Sequence, residues 1–189
     1  QLQVGSVGYV SHLELFQAIE NQLASRDQTL VISIDGRAGA GKTTLANQIA
    51  KNFSGTHIIH MDDLYRGWAL TLGQNLTREL QSILDQLADK GEITYVKFDW
   101  LRNALGDKVI FTTPKILVLE GVGSGQTSIS ESVDIRVWIE VSQEIGLSRV
   151  LERDGAQIAD EMALFILEQE THFTAERTQE RSDFQLSGN

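Results

Sequence analysis

The sequence predicts an α/β fold in which a five-stranded parallel sheet lies between two layers of helices. The first observation that supports this fold is a set of short apolar runs, rich in β-branched residues, which are typical of buried strands. Segments with apolar residues at helical spacing alternate with these runs, and that alternation favours a parallel sheet covered on both faces. The predicted strands are residues 29–35, 56–61, 115–119, 135–141 and 184–186.

Five amphipathic segments predict the helices. Each repeats apolar side chains every three or four residues, as Leu13, Phe16 and Ile19 do in the first segment. Ser142 is predicted to cap the fourth helix, because a serine oxygen can accept the free N–H groups of a first turn. The first helix belongs to an N-terminal helical extension, residues 1–28, of a single domain that covers residues 1–189. The predicted helices are residues 11–25, 42–53, 76–91, 142–155 and 158–173.

The composition fits one globular domain. The chain has 189 residues, 41% of them hydrophobic, with a single proline and no cysteine, so nothing indicates disulfide bonds. No apolar run approaches the roughly 18 residues that a membrane span needs. The sequence opens without the charged and apolar regions of a signal peptide. The expectation is a cytoplasmic protein that makes no membrane contact.

The charge balance disfavours nucleic acid as a partner. There are 26 acidic and 16 basic residues, a formal net charge of −10 at pH 7, and no block of lysine or arginine. Non-specific affinity for nucleic acid comes from neutralising phosphates, so this chain is not expected to bind it. The sequence leaves open whether the chain forms a homo-oligomer.

A glycine-rich segment, SIDGRAGAGKTTLANQIA at residues 33–50, joins the first strand to a helix. Gly36, Gly41, Lys42 and Thr43 fit the pattern G-x-x-x-x-G-K-[ST] of a phosphate-binding loop, or P-loop. In such a loop the backbone N–H groups and the lysine bind phosphates, and the Thr43 hydroxyl binds Mg²⁺. The motif predicts a three-layer P-loop NTPase fold. It predicts an ATP site formed by Gly36, Arg37, Ala38, Gly39, Ala40, Gly41, Lys42, Thr43 and Thr44, with the Arg37 side chain solvated.

Two other predicted strands end in carboxylates, at the edge of the sheet where ligands gather. Glu120 is costly to bury without a cation, so it is predicted to support Mg²⁺ through water; a structural ion pair is the alternative. Asp62 and Asp63 follow the second strand, and phosphoryl transfer to an alcohol needs a carboxylate that accepts the hydroxyl proton. Asp62 is the predicted base, while Asp63 is an alternative base or a helix cap. His60, on the same strand, is predicted to be a satisfied structural histidine.

The order of the motifs resembles that of the uridine kinase and phosphoribulokinase group of P-loop kinases. It is most similar to that of small bacterial uridine kinase-like ATP-binding proteins. The resemblance runs from about Leu30 to the end of the chain. Behind the P-loop come HMDDLYR at residues 60–66, FDW at 98–100, VLEG at 118–121 and LSRVLERD at 147–154.

The resemblance implies an acceptor site and a short lid. Asp62 is implied to be the catalytic base, Tyr65 to lie in the acceptor pocket, and Asp99 to hold sugar hydroxyls. Arginines of a lid, about residues 149–160, are implied to grip the phosphates. The lid is abbreviated and Asp63 replaces the family's small polar residue, so the acceptor is left open. The full set of predicted substrate-binding residues is Asp63, Tyr65, Phe98, Asp99 and Trp100.

Two further points on these residues follow from elementary chemistry. Arg149 and Arg153 are four apart on a predicted helix, where like charges repel by a few tenths of a kcal/mol. A shared anion would relieve that repulsion; two solvated arginines balanced by neighbouring carboxylates are the alternative. Trp68, Phe98 and Trp100 either stack on a ring of the acceptor or belong to the core.

The sequence therefore predicts an ATP- and Mg²⁺-dependent kinase. It would transfer the γ-phosphoryl group to a hydroxyl of a nucleoside-like or other small metabolite, with Lys42, Asp62, Arg149 and Arg153 as catalytic residues. One alternative is a nucleotide-hydrolysing switch that acts on a protein partner, although the sequence has no Asn-Lys-x-Asp guanine-reading motif. A catalytically silent ATP-binding sensor is the other.

Overall fold

A computed structural model describes residues 8–189 and contains seven strands within that range. Five of them form a parallel sheet in the order β2-β5-β1-β6-β7, and β3 and β4 form a separate antiparallel hairpin. The strands are β1 (Leu30–Gly36), β2 (Thr56–His60), β3 (Glu92–Asp99), β4 (Ala104–Thr112), β5 (Ile116–Glu120), β6 (Ile135–Glu140) and β7 (Phe184–Ser187).

Six α-helices connect and cover the strands of residues 8–189. Two short 3-10 turns, Thr127–Ser132 and Ala156–Ile158, complete the regular structure of that range. Ser11 caps the first helix in a capping box with Glu14, and Ser142 caps the fifth by accepting from the Ile145 N–H at 3.2 Å. The helices are α1 (His12–Ala24), α2 (Lys42–Asn52), α3 (Met61–Leu64), α4 (Gln74–Ala88), α5 (Gln143–Asp154) and α6 (Ala159–Glu176).

The sheet separates two apolar layers. On one face, α1 and α2 bury Leu15, Ile19, Leu45 and Ile49 against β1, β5 and β6. On the other face α4 and the hairpin pack over β5, and α6 packs around Trp138 of β6. Every residue of β1 and β5 is buried. The predicted three-layer P-loop NTPase fold with five parallel strands is therefore confirmed.

The sequence predictions miss the short helix α3 and the hairpin. The second strand ends at His60, one residue early, and Met61 opens the short helix α3. The hairpin of β3 and β4 was not predicted at all; its register shifts at a bulge between Val96 and Phe98. It packs against α3 and α4, which brings the turn after Asp99 to the carboxyl end of the sheet.

A close contact between two glycines positions the P-loop. Gly39 has a φ of +80°, and a Cβ atom there would lie 2.2 Å from the Gly146 carbonyl oxygen. A Cβ atom on Gly146 of α5 would lie 2.3 Å from the Ala38 carbonyl oxygen. Only glycine lets the two backbones approach this closely, so α5 fixes one side of the loop.

Within residues 8–189, no helix combines the length and the apolar composition that crossing a bilayer requires. The predicted lid, residues 149–160, consists of the second half of α5, Gly155 and the following 3-10 turn, and it leads directly into α6. The first seven residues of the predicted N-terminal extension lie outside the described residues.

Candidate active site

A cleft of about 750 Å³ opens at the carboxyl end of the parallel sheet. The P-loop, α3, the end of β5, α5, α6 and the turn of the hairpin line it. A larger cavity of about 1100 Å³ lies at the opposite, amino end of the sheet, beside the ion pair of Arg26 and Asp134. None of the residues of the predicted site lines that larger cavity, whereas most of them line the cleft.

The P-loop presents a phosphate-sized cradle with a lysine at its centre. Gly41, the N-cap of α2, has a φ of +97°, and no side chain caps the helix, so its first N–H groups face the loop. The Lys42 ammonium donates to the carbonyl oxygens of Gly36 and Arg37, both at 2.7 Å. Burial lowers the pKa of Lys42, and the charges of Asp35, Glu120 and Asp62 oppose that shift.

Not every residue of the loop faces the cleft. Gly36, Arg37 and Ala40 are not among the residues that line it. The residues of the predicted ATP site that line the cleft are Ala38, Gly39, Gly41, Lys42, Thr43 and Thr44.

The predicted solvation of Arg37 is wrong. Its guanidinium pairs with Glu140 at 2.8 Å and with Glu170 at 2.7 Å, and it also donates to the Val141 carbonyl oxygen at 3.0 Å. These partners belong to β6, to the residue after it and to α6, so Arg37 ties the P-loop to both elements. Gln169 of α6 adds a second tie by accepting from the Ala38 N–H at 3.1 Å.

Glu120 stands beside the threonine of the P-loop. Thr43 donates its hydroxyl to Glu120 Oε1 at 3.0 Å, and His60 Nδ1 hydrogen-bonds to the same oxygen. Parallel pairing of β2 with β5 sets His60 directly opposite Glu120, which explains that contact. The Glu120 carboxylate is buried, and its Oε1 is bonded by both Thr43 and His60; the contact with His60 is an ion pair when that histidine is protonated. His60 is thus satisfied, as predicted, but by a carboxylate of the candidate site.

The oxygen atoms of Thr43 and Glu120 are suited to Mg²⁺ that binds together with a nucleotide. Within residues 8–189 no group of three or more carboxylates, histidines or cysteines is arranged to hold a metal ion alone. Thr43 and Glu120 offer hard oxygen atoms next to the phosphate cradle, and Mg²⁺ commonly takes the rest of its octahedral shell from phosphates and water. The set therefore suits a metal that arrives with its nucleotide.

The pairing of His60 predicts a pH dependence of stability. The hydrogen bond to Glu120 raises the pKa of His60 above its usual value, with burial opposing. The stabilisation is fully present below about pH 6.5, the unfolded value, and is lost as the pH rises through the higher folded value. Urea unfolding of the metal-free protein from pH 6 to pH 9 should show this loss. The His60→Asn variant keeps a hydrogen-bond donor but does not titrate, so its free energy of unfolding should not fall with rising pH in this way. An identical pH dependence in both proteins would contradict the assignment of this effect to His60.

Asp62 and Asp63 face different surroundings. Asp62 lines the cleft together with Lys42 and Glu120. Desolvation raises the pKa of Asp62, and the charge of Glu120 raises it further, while Lys42 and Arg153 oppose the shift. Asp63 lies outside the lining of the cleft and pairs with Lys97 of β3 at 3.1 Å. The geometry therefore brings Asp62, and not Asp63, to the phosphate site.

The two arginines of α5 both line the cleft. Arg149 donates to the carbonyl oxygens of Gly39 at 3.2 Å and Gly188 at 2.6 Å. Arg153 pairs with its neighbour Asp154 through two hydrogen bonds, at 2.7 and 2.6 Å. Arg149 thus contacts the P-loop directly through Gly39, and the charge of Arg153 acts on Lys42 and Asp62.

The predicted acceptor residues separate into two groups. Tyr65 and Trp100 line the cleft, with the Tyr65 hydroxyl donating to the Val122 carbonyl oxygen at 2.6 Å. Phe98 is buried outside the lining and packs its ring edge against Trp100. Asp99 is also outside the lining: its carboxylate accepts the N–H groups of Leu101 and Arg102 and pairs with the Arg102 side chain at 2.6 Å. The Asp99 carboxylate therefore stabilises the hairpin turn.

Asp35 is a site-forming residue that no motif in the sequence predicts. Its buried carboxylate accepts the N–H groups of Gly36 and Gly125 at 2.8 Å and of Gly123 at 3.2 Å. Burial raises the pKa of Asp35, and these backbone hydrogen bonds and the Lys42 charge oppose the shift. The carboxylate thus joins the start of the P-loop to the glycine-rich loop after β5. A polar residue at the end of a buried strand was the only signal available in the sequence.

A family model described as the NB-ARC domain matches residues 13–112, just over half of the chain. The chain belongs to this family of P-loop NTPases. The match ends before β5, so it covers the P-loop and Asp62 but neither Glu120 nor the arginines of α5.

Curated relatives of this P-loop NTPase include several uridine kinases. A uridine kinase of Lactobacillus helveticus is 26% identical over 145 residues, 68% of this chain and 69% of that protein. The chain spans about two thirds of the length of the curated relatives that it matches.

Solved structures show the same fold over almost the whole chain. A possible uridine kinase from Bacillus stearothermophilus superimposes with a TM-score of 0.61 at 19% identity, covering 92% of this chain and 99% of that one. A D-glycerate 3-kinase from Cryptococcus neoformans gives a TM-score of 0.59 at 12% identity, covering 94% and 93%. The resemblance to uridine kinase-like P-loop kinases is confirmed.

Proposed function

We propose that this P-loop NTPase is a small-molecule kinase that uses ATP and Mg²⁺ and phosphorylates a hydroxyl group. The observation that carries the proposal is the convergence of Lys42, the Thr43–Glu120 pair and Asp62 in one cleft. A phosphate cradle alone serves any NTPase. A free carboxylate beside it is the added group that a transfer to an alcohol needs.

We assign nucleotide and metal binding to different residues of the cleft. The loop amides and Lys42 would bind the β and γ phosphates, and Arg149 and Arg153 would neutralise charge that develops during transfer. Mg²⁺, held through Thr43 and water on Glu120, would supply charge neutralisation between the phosphates.

Asp62 would accept the acceptor's hydroxyl proton as that oxygen forms its bond to the γ-phosphorus. The bond from that phosphorus to the β–γ bridging oxygen breaks, and its electron pair leaves with ADP. The products are the phosphorylated alcohol and ADP, and the proton passes from Asp62 to water.

The acceptor panel is the direct test. Without an acceptor, purified protein with MgATP should release ADP only slowly. With one class of hydroxyl compound among nucleosides, sugars and vitamin alcohols, ADP release should be at least about tenfold faster. Mass spectrometry should find the phosphate on that compound. ADP release that no small acceptor stimulates, but that a protein does, would instead support the nucleotide-hydrolysing switch. Tight MgATP binding without turnover would support the silent sensor.

A further inference from the structure

Five of the residues that line the cleft carry aromatic or thioether side chains. Tyr65, Trp68, Trp100, Met162 and Phe165 line it, and we call these five residues the aromatic recess. Three of them are buried, but Trp68 and Trp100 remain 38% and 37% exposed. The two indole rings stand with their centroids 5.2 Å apart, and Trp68 also packs edge-on against Phe165 at 6.5 Å. Large apolar rings left facing a cleft gain free energy when a ligand covers them.

We propose that the aromatic recess binds the acceptor through a flat, uncharged ring, and that Trp100 couples occupancy of the recess to the position of Asp62. The inference rests on the proposed function, since it takes Asp62 to be the base. It adds a specificity-determining residue, Trp68, and a positioning residue, Trp100.

The chemistry of the recess selects the ligand class. Its five side chains are aromatic or thioether groups, and the single hydroxyl, on Tyr65, is already bonded to the Val122 carbonyl oxygen. Among the described residues that line the cleft, the cations are Lys42, Arg149 and Arg153, and none of them belongs to the aromatic recess. A carboxylate or phosphate on the acceptor would lie in the recess without a cation and near Asp62, which disfavours anionic acceptors. A flat ring gains stacking contacts instead.

Trp100 connects the recess to the base through one hydrogen bond. Its indole N–H donates to the backbone carbonyl oxygen of Asp62 at 2.9 Å. In an α-helix, a carbonyl oxygen accepts a hydrogen bond from the N–H group four residues later. Because α3 spans only four residues, that N–H lies beyond the helix, and no N–H group of α3 can donate to the Asp62 carbonyl. The indole ring packs edge-to-face with Phe98 and at a tilt of 60° with Trp68, in both cases with ring centroids 5.2 Å apart. A ligand ring stacked in the recess would fix the plane of Trp100, and with it the backbone that carries Asp62.

The test separates ring binding from positioning. Trp68→Leu should raise the KM for uridine and for pyridoxine, two ring-bearing alcohols, about tenfold with kcat within about threefold. Trp100→Phe retains a ring but loses the N–H, so kcat should fall about tenfold with KM within about threefold. Trp138→Phe is the control for loss of an indole N–H outside the cleft: Trp138 is buried against Phe173, and its N–H donates to Glu140 at 2.7 Å.

A double variant distinguishes positioning from general damage. If Trp100 acts through the base, Trp100→Phe should cause no further loss of kcat in the Asp62→Asn background. An equal loss in both backgrounds would overturn the coupling. An unchanged KM in Trp68→Leu, or D-glycerate used as well as uridine and pyridoxine, would overturn the aromatic recess as the acceptor site.

Indole fluorescence reports on the recess without any turnover. Uridine or pyridoxine should quench the wild-type emission saturably, and about tenfold more ligand should be needed in Trp68→Leu. Quenching of this kind with no phosphorylated product from any acceptor would support the recess while refuting the proposed kinase. Phosphorylation without saturable quenching would do the reverse.

Discussion

Lys42→Met is expected to weaken MgATP binding about 100-fold and to reduce phosphoryl transfer at least about 1000-fold. Lys42 is the only P-loop side chain among the described residues that brings a positive charge into the cradle; Arg37 is turned away and paired with Glu140 and Glu170. Asp35, Asp62 and Glu120 all act on the Lys42 charge. Without it, a nucleotide polyphosphate would meet carboxylates that no loop cation offsets.

Calorimetric titration of MgATP and a single-turnover transfer assay measure the two effects. Lys51→Met is the matched control, since Lys51 lies in the last turn of the same helix and is exposed. Its affinity and rate should stay within about twofold of wild type. A Lys42→Met protein that binds MgATP within threefold of the wild-type affinity would remove the phosphate cradle from the proposed mechanism. The Gly36 and Arg37 carbonyl oxygens lose their donor in this variant, so folding is checked by urea unfolding.

The central sheet could be predicted from local signals because its strands are buried. Runs such as LVI in β1 and ILVL in β5 lack the regularly spaced polar residues of an amphipathic helix. Every residue of these two strands is buried. The hairpin escaped prediction for the opposite reason. Most residues of β4 are exposed, and a bulge at Val96 interrupts the alternation in β3, so neither strand resembles a buried run.

The P-loop could be predicted because its chemistry is contained in consecutive residues. Its supports could not, because they come from distant parts of the chain. Arg37 is bound by Glu140 and Glu170, more than 100 positions away. No pattern around Arg37 indicates those partners, and an isolated arginine in a loop is usually solvated.

His60 shows the same limit within the candidate site. It meets Glu120 because β2 pairs with β5, although two strands and two helices intervene in the sequence. Strand order in a parallel sheet depends on how the helices pack, so the register of His60 with Glu120 becomes visible only in the fold. The motif order predicted that Asp62 and Glu120 converge on Lys42, and the structure brings all three into one cleft.

Asp62→Asn is expected to reduce kcat about 1000-fold while MgATP affinity stays within about threefold. The amide has the shape of the carboxylate but cannot accept the hydroxyl proton. The Trp100 contact should persist, because it uses the Asp62 backbone carbonyl. Loss of a negative charge near Lys42 should not weaken nucleotide binding, so a defect confined to kcat isolates the chemical step.

Asp63→Asn is the matched control at the next position. Asp63 pairs with Lys97 at the surface of the hairpin, and loss of that pair should cost less than about 1 kcal/mol of stability and leave kcat within about threefold. The wild-type pH profile adds an independent check. The raised pKa of Asp62 places the acid limb of kcat/KM above the ordinary aspartate value of about 3.9, because only the ionised carboxylate acts as a base. Asp62→Asn should lack that limb in its residual activity. An inactive Asp63→Asn variant beside an active Asp62→Asn variant would assign the base to Asp63 and overturn the proposed role of Asp62.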